Sequence, residues 1–510
     1  MNDRGWAKVI MVQGTSSHAG KSVLATALCR IFAQDGFLVT PFKAQNMSLN
    51  SYVTPDGGEI GRSQAVQAAA AMTAPKVEMN PILLKPEGES RSQVVVMGRP
   101  NTVASAREYY KLKSTMWDTV TSALDRMRAE YDVVVIEGAG SPAEVNLKEQ
   151  DIVNMRVALY ANAPVLLVGD IDRGGVFAQL VGTMVLLEPE ERALVKGHVI
   201  NKFRGDPSLL TPGLGFLEER TGAPVAGVIP HFSDIHIPEE DSLGLAPEPK
   251  SDDETVVDVA VMRLPHIANF DDFDPLRHEA GVRVRYVGRA DDFGSPDLVV
   301  IPGSKTTAAD LEWLRAVGLG EQIVTARYAG TPVIGICAGY QMLGTKLLDP
   351  DGVESSRTET RGLGLLPTVT TFRRDKSTHQ VSGRVVANRG ILNDCSDASI
   401  DAYEIHMGVT TSDDEPSPPI IIETRSGRSV NMPDGALDSE GLTLGTYLHG
   451  LFHNRPVRRS ILDYAASRRG ATLPPASDDI EPSAEYDKLA ALVREHLDMN
   501  LVYRVTGLKT

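Results

Sequence analysis

Short apolar runs rich in β-branched residues alternate with longer stretches of helical periodicity along most of the chain. This alternation is typical of βαβ units, which build parallel sheets covered by helices. In the first half, strands are predicted at residues 8–12, 38–42, 133–136, 165–168, 198–200 and 225–229. In the second half, they are predicted at residues 257–262, 282–287, 298–301, 333–336, 369–372, 381–386, 420–423 and 442–447. The expected fold class is α/β, with two tandem domains whose sheets are mainly parallel.

The length of the chain predicts more than one hydrophobic core, because 510 residues exceed what a single core usually supports. The segment PEPKSDDET at residues 247–255 is acidic, contains proline and lacks large apolar side chains, so we predict a linker there. We therefore expect a first domain at residues 1–246 and a second at 256–456. Residues 457–510 show helical periodicity and are expected to form a C-terminal helical extension.

The charge balance and the cysteines exclude several classes of protein. A formal net charge of −16 argues against nucleic-acid binding, which usually requires a basic surface. Cys29, Cys337 and Cys395 are too scattered for a disulfide framework or a zinc site. The sequence shows no secretory signal and no run of the roughly 20 apolar residues that a membrane helix needs. We expect a cytoplasmic protein without nucleic-acid or membrane partners; the oligomeric state is not indicated.

A glycine-rich loop with the sequence GTSSHAGKS follows the first predicted strand, at residues 14–22. A loop between a strand and a helix turns backbone amides and the helix N-terminus toward one point, where phosphates bind. The predicted nucleotide-binding residues are Gly14, Thr15, Gly20, Lys21 and Ser22. The lysine would reach the outer phosphates of ATP, and the Ser22 hydroxyl would ligate Mg²⁺. The alternative is a glycine-rich turn that only caps a helix.

Acidic residues follow later predicted strands, where ligands of parallel sheets usually bind. Glu137 ends the apolar run of VVVIEGAG, residues 133–140, and is the predicted second metal ligand; its alternative is a solvated turn carboxylate. Asp170 in GDIDRGG is expected either to act near the phosphates or to cap a helix. Asp56 and Glu59 are weaker candidates for a further metal contact.

The segment PVIGICAGYQ, residues 332–341, predicts a nucleophile at the end of a strand. Cys337 is flanked by small residues that permit a sharp strand-to-helix turn, which exposes the thiol and directs amides toward an oxyanion. The alternative is a buried cysteine that acts only as a small apolar side chain. A cysteine nucleophile needs a base, and His449, at the end of a predicted strand, is favoured over His406. Candidate oxyanion or supporting residues are Gly303, Ala338 and His406.

The pattern GxCxGxQ followed by a late histidine resembles the class I glutamine amidotransferases. That resemblance implies hydrolysis of glutamine through a γ-glutamyl thioester, with release of ammonia. The usual third residue would be an acid two positions after the histidine, but Leu451 stands there. His449 is therefore expected to be held by another group, such as a backbone carbonyl, or by packing alone. The phosphate loop, with five residues between Gly14 and Gly20, resembles the dethiobiotin synthetase branch of P-loop proteins.

Further motifs resemble the family of cobyric acid synthases and cobyrinic acid a,c-diamide synthases. They occur in the expected order and are QGTSSHAGKS, FKAQNMSLNS, EGAGSPAEVNL, DIDRGGVFA, INKFRGD, IPGSKTT, YEIHMG and GTYLHGLF. The resemblance implies ATP-dependent amidation of the b, d, e and g carboxylates of a corrinoid substrate, adenosylcobyrinic acid a,c-diamide, with Mg²⁺ and with glutamine as nitrogen donor. The alternatives are a,c-diamide synthesis, amidation of a cell-wall precursor, or a regulatory ATPase with an inactive amidotransferase domain. The domain order and the motifs AQNMSLNS and INKFRGD argue against the first two.

Overall fold

The computed structural model describes residues 5–87, 91–238, 255–412, 417–476 and 479–509. The predicted linker lies outside these ranges except for its last residue. Strands in the first half are β1 (Lys8–Gly14), β2 (Val39–Phe42), β3 (Gln45–Met47), β4 (Ser51–Val53), β5 (Glu59–Gly61), β6 (Ile82–Pro86), β7 (Arg91–Val96), β8 (Arg99–Ser105), β9 (Val133–Glu137), β10 (Val165–Asp170), β11 (Val195–Phe203) and β12 (Val225–Pro230). Helices there are α1 (Lys21–Gln34), α2 (Arg62–Ala70), α3 (Ala106–Glu130), α4 (Met155–Ala161), α5 (Val176–Leu186), α6 (Pro189–Leu194) and α7 (Thr211–Thr221).

The central sheet of the first domain is parallel and has the strand order β12-β11-β10-β1-β9-β2. Its middle strand β1 is a continuous apolar run, as expected for a strand covered on both faces, and Ile10, Met11 and Val12 are fully buried. The carboxyl ends of β1, β9 and β10 meet at one edge of the sheet. This topology brings the glycine-rich loop, Glu137 and Asp170 to the same crevice.

Smaller sheets lie beside this one. Strands β3, β6, β7 and β8 form a mixed sheet in which most pairs are antiparallel, and β4 and β5 form a hairpin. Helix α2 begins directly after the hairpin. The hairpin and α2 connect the crevice of the first domain with the second domain.

Strands in the second half are β13 (Val257–Met262), β14 (Ile267–Ala268), β15 (Val282–Val287), β16 (Leu298–Ile301), β17 (Gly303–Ser304), β18 (Val333–Ile336), β19 (Lys346–Leu348), β20 (Glu359–Arg361), β21 (Thr368–Val385), β22 (Ser399–Ser412), β23 (Ile420–Arg425), β24 (Arg428–Asp434), β25 (Ala436–Leu437), β26 (Thr443–Thr446) and β27 (Leu448–His449). Helices there are α8 (Asp274–Arg277), α9 (Thr307–Ala316), α10 (Leu319–Tyr328), α11 (Ala338–Leu343), α12 (Arg455–Ser467), α13 (Pro482–His496) and α14 (Met499–Thr506).

The main sheet of the second domain has the order β15-β13-β16-β18-β26-β25, parallel except for the edge strand β25. Strand β18 is in its middle and leads directly into Cys337. A second sheet contains the long antiparallel pair β21 and β22, and its edge strand β27 carries His449. The two sheets thereby deliver the cysteine and the histidine from different sides.

The C-terminal segment contributes to both domains. Helix α12 packs into the core of the second domain through Val457, Ile461 and Leu462. Helices α13 and α14 pack on the first domain, where Leu489 and Val493 join the core cluster that contains α1. The segment 457–510, predicted as one extension, is therefore divided between the domains.

Candidate functional site

The glycine-rich loop at residues 14–22 joins β1 to α1, as its sequence predicts. Gly20 has a φ of 100°, and a Cβ atom there would lie 1.9 Å from Nδ2 of Asn201, so only glycine fits. The Lys21 ammonium lies inside the loop and donates to the carbonyl oxygen of Gly140, 3.1 Å away. The loop is thus closed around a lysine that can turn toward a phosphate.

Glu137 is fully buried at the end of β9 and accepts three hydrogen bonds. Its donors are the Ser22 hydroxyl at 2.9 Å, the Lys43 ammonium at 2.9 Å and the Gln67 amide at 2.5 Å. A buried carboxylate is tolerated because the ammonium neutralises it and the other donors bind its oxygens. Lys43 and Gln67 were not predicted as site residues; Lys43 lies in the motif FKAQNMSLNS, which offered a signal.

Asp170 lies at the end of β10 and is tied to the same loop. Its carboxylate forms an ion pair with Lys202 at 2.8 Å, and the Lys202 ammonium also donates to the carbonyl oxygen of His18 at 2.9 Å. The Thr15 hydroxyl donates to Gln179 at 3.0 Å and so fixes the start of the loop to α5. These contacts hold Asp170 beside the glycine-rich loop.

Glu59 lies away from this crevice, and its position does not support the metal contact expected of it. Its buried carboxylate pairs with Lys85 at 2.6 Å and with Lys376 of the second domain at 2.5 Å. Burial favours a raised pKa, but the ammonium groups of Lys376 and Lys85 outweigh it and hold the pKa of Glu59 below its ordinary value. The Asp56 carboxylate accepts from the Thr54 hydroxyl within the same hairpin. Glu59 therefore forms an ion pair that joins the first domain to the second.

Cys337 occupies a sharp turn between β18 and α11. Its φ is 54°, a strained conformation for a residue with a side chain, and it is 8% exposed. A Cβ atom on Gly339 would lie 1.9 Å from the carbonyl oxygen of Ile301, so a residue with a side chain does not fit at this position. The pattern of small residues around the cysteine thus follows from the tight turn that presents the thiol.

His449 is buried beside Cys337 and is oriented by Asp272, which was not predicted. The Nδ1 atom of His449 lies 2.7 Å from Oδ2 of Asp272, and the other carboxylate oxygen accepts from the Gly450 backbone amide at 2.8 Å. Burial opposes protonation, but the Asp272 carboxylate and the Cys337 side chain raise the pKa of His449 above its ordinary value.

The expectation that a backbone carbonyl or packing alone holds His449 is therefore wrong. Asp272 lies 177 residues before the histidine in sequence, in a short 3-10 turn, Phe270–Phe273. An acid sought two residues after the histidine could not reveal it. The geometry is that of a Cys-His-Asp triad, in which the acid fixes the histidine tautomer and stabilises the imidazolium.

Two family models cover most of the chain. The model of the CobQ/CobB/MinD/ParA nucleotide binding domain matches residues 10–243, and that of the CobB/CobQ-like glutamine amidotransferase domain matches 258–457. A cobyric acid synthase of Dehalococcoides mccartyi is 53% identical over 500 residues, with 98% of each chain covered. One of Moorella thermoacetica is 51% identical over 507 residues, covering 99% of this chain and 98% of the relative. The chain belongs to the cobyric acid synthase family.

Membership in the cobyric acid synthase family confirms the resemblance and the α/β fold class that the sequence predicts. It makes the protein a glutamine-dependent amidotransferase of cobalamin biosynthesis that uses ATP. In the part of the chain that the structure describes, no helix is long and apolar enough to cross a membrane. The roles of the individual site residues stay predictions.

The remaining predicted residues lie around the triad. A Cβ atom on Gly303 would lie 3.0 Å from Cε1 of His449, so this backbone borders the site. Ala338 begins α11 directly after the cysteine. His406 binds the carbonyl oxygen of Gly408 through Nδ1 at 2.8 Å and stacks on a neighbouring tyrosine. His406 therefore lies beside the triad geometry, and His449 stays the predicted base.

We expect Leu451→Glu to reduce stability without increasing glutaminase activity. Leu451 is fully buried in the apolar core of the second domain, and Asp272 already supplies the triad acid. Burying an unpaired carboxylate there should cost roughly 2 to 5 kcal/mol, whereas the volume-conserving control Leu451→Met should cost less than about 1.5 kcal/mol. Thermal unfolding and glutamate release from both variants test this. A large gain of glutaminase from the glutamate variant would contradict the triad.

Proposed function

We propose that the protein amidates the b, d, e and g carboxylates of adenosylcobyrinic acid a,c-diamide, using ATP and glutamine. A carboxylate is a poor electrophile, because displacement by ammonia would require oxide to leave. Transfer of the terminal phosphate of ATP forms an acyl phosphate, from which ammonia displaces phosphate. The observation that supports this division is that one chain carries two buried centres, Glu137 at the phosphate loop and the triad of Cys337, His449 and Asp272.

The triad supplies the ammonia. His449 takes the proton of the Cys337 thiol as the sulfur attacks the side-chain amide of glutamine, and it then passes this proton to the nitrogen, which leaves as ammonia. The buried Asp272 carboxylate favours the protonated imidazole and so supports removal of the thiol proton by His449. Water then hydrolyses the thioester, which releases glutamate and restores the thiol. Since free ammonia is mostly protonated near neutral pH, the two centres need a route that excludes water.

The phosphate loop supplies the activated carboxylate. Backbone amides of the loop and Lys21 would bind the phosphates of ATP. Ser22 and Glu137 fit a Mg²⁺ ion, because both present oxygen atoms, 2.9 Å apart, at the wall of the crevice. The metal would supply neutralisation of phosphate charge. The Lys43 ammonium balances the charge of the buried Glu137 carboxylate.

The crevice has the size and charge for a large polyacid. Its volume is about 1000 Å³, and lysines and arginines outnumber acidic residues in its lining, seven to four. This contrasts with the whole chain, in which acidic residues exceed basic ones by 67 to 51. Lys113 and Arg156 lie in the lining on elements other than the phosphate loop, where they can contact the substrate carboxylates. The free cysteines and the use of ATP support a cytoplasmic location.

Turnover with the a,c-diamide, ATP and glutamine tests the proposed function. Each exchange of an acid for an amide lowers the mass of the corrinoid by about one dalton, so mass spectrometry should show four successive steps. ADP and glutamate should each form once per step. A corrinoid that stays unchanged while ATP and glutamine are consumed would overturn the assignment.

We expect Lys21→Ala to lower amide synthesis about 10² to 10³-fold, whether glutamine or ammonium salt is the nitrogen source. Its ammonium is the loop cation that can bind the phosphates, and removing one such electrostatic contact has an effect of this size. Lys196→Ala, which removes an exposed lysine on β11, is the matched control. Rapid ammonia-driven synthesis by Lys21→Ala would contradict the phosphate-loop assignment.

A further inference from the structure

The turn at residues 269–272 contacts the triad and the first domain at the same time. At one end, Asp272 orients His449 through Nδ1. At the other end, the Nδ2 atom of Asn269 lies 3.3 Å from the Nε2 atom of the same histidine. The Oδ1 atom of Asn269 accepts a hydrogen bond from the Ser51 backbone amide at 2.9 Å. Asn269 therefore links a strand of the first domain to the ring nitrogen that must exchange a proton with Cys337.

The contact with Ser51 fixes which way the Asn269 amide points. A backbone N–H only donates, so it must face Oδ1, and the amide nitrogen then faces His449. The amide N–H can approach Nε2 only while that nitrogen is unprotonated. The side chain of Asn269 thus opposes the protonation of His449 that Asp272 favours.

Helix α2 connects this turn to the phosphate-loop centre. Arg62, at its first position, forms an ion pair with Asp271 at 3.0 Å. Gln67, on the same helix, donates to Glu137 at 2.5 Å. Arg62 and Gln67 are five residues apart, which is about 7.5 Å along an α-helix. A movement of Glu137 on ligand binding can therefore move Gln67, and with it Arg62 and the turn. Asn50, next to Ser51, adds a contact to the backbone amide of Phe270 at 3.3 Å.

We propose that Asn269 is a positioning residue that restrains His449 until nucleotide and corrinoid bind the first domain, an inference that rests on the proposed function. When ligands rearrange the contacts of Glu137, α2 and the strand that carries Ser51 shift the turn. The Asn269 amide then leaves Nε2, and His449 can take the proton of Cys337. Glutamine hydrolysis is thereby coupled to the presence of a carboxylate to amidate.

Two substitutions separate restraint from structural support. Asn269 has a φ of 53° and ψ of 45°, which glycine adopts without strain, so Asn269→Gly removes the side chain and preserves the turn. Asn269→Asp keeps an oxygen for Ser51 and places an acceptor, in place of a donor, opposite Nε2. Both variants should raise glutaminase activity without ATP and corrinoid about tenfold, the scale of one hydrogen bond. We call the glutaminase rate without ATP and corrinoid the idle rate. The ratio of the rate with both ligands to the idle rate should fall toward one in both variants.

Thr378→Val is the matched control, because it removes another hydrogen bond between the domains, from the Thr378 hydroxyl to the Gly57 carbonyl at 2.8 Å. Thr378→Val should keep the wild-type idle rate and the wild-type increase of glutaminase activity on addition of ATP and corrinoid. A purely structural role for Asn269 predicts instead that Asn269→Gly loses activity and Asn269→Asp retains the wild-type idle rate. That result, or a wild type that forms amides without stimulated glutaminase, overturns the proposal. The idle rate requires only glutamine, so it decides the proposal even if the corrinoid is not amidated.

Discussion

Cys337→Ala is expected to lower glutamine-dependent amide synthesis by about 10⁵-fold or more, while synthesis from ammonium salt stays close to wild type. Loss of a catalytic nucleophile usually has an effect of this size. The thiol forms the thioester that releases ammonia and has no part in the phosphorylation at Glu137. The measurement is corrinoid amidation with each nitrogen source at equal ATP.

Cys395→Ala is the control for this substitution, because Cys395 is also buried but lies outside the triad. It should retain synthesis from both nitrogen sources. Loss of both activities in a folded Cys337→Ala protein would contradict the division of chemistry between the domains.

Asp272→Asn is expected to lower glutamine hydrolysis by about 10⁴-fold with little change in ammonia-dependent synthesis. The neutral amide keeps the volume of the carboxylate but no longer stabilises the imidazolium or selects the Nδ1–H tautomer of His449. Glutamate release, measured with ATP and corrinoid present, reports the loss directly.

Asp274→Asn tests whether any charge in this segment would have the same effect. Its carboxylate lies 3.9 Å from the Arg277 guanidinium in a partly exposed ion pair, which contributes little. It should keep at least half of the wild-type glutaminase activity. If Asp272→Asn also kept at least half of the wild-type glutaminase activity, His449 would need no acid. The catalytic unit would then be a Cys-His pair and not a triad.

The sequence predicts the central strands well because they are continuous apolar runs between turns. The strands at 257–262, 282–287, 298–301 and 333–336 occur at the predicted positions. The smaller sheets were not expected, since β3, β4 and β5 are only three residues long and none is a continuous apolar run. The runs at 369–372 and 381–386 belong to one strand, Thr368–Val385, whose polar middle residues conceal the pairing.

The candidate site was predictable where neighbouring residues form it and not where the fold joins distant ones. The loop at 14–22 and the turn at Cys337 depend on local glycine patterns, which a sequence displays directly. Asp272 acts from another part of the chain, and Gln67 meets Glu137 only because α2 crosses the crevice. Such pairings depend on topology, which periodicity does not specify.

The position of the last two helices has a consequence for how the protein is made. Leu489 and Val493 complete the core around α1, so the first domain lacks part of its apolar interior until residues 482–506 have left the ribosome. At about 5 to 20 residues per second, the ribosome needs roughly 10 to 60 s to reach them from residue 238. During this interval the nascent first domain exposes apolar surface that chaperones can bind. The second domain, whose core ends at Leu473, can finish folding before the first.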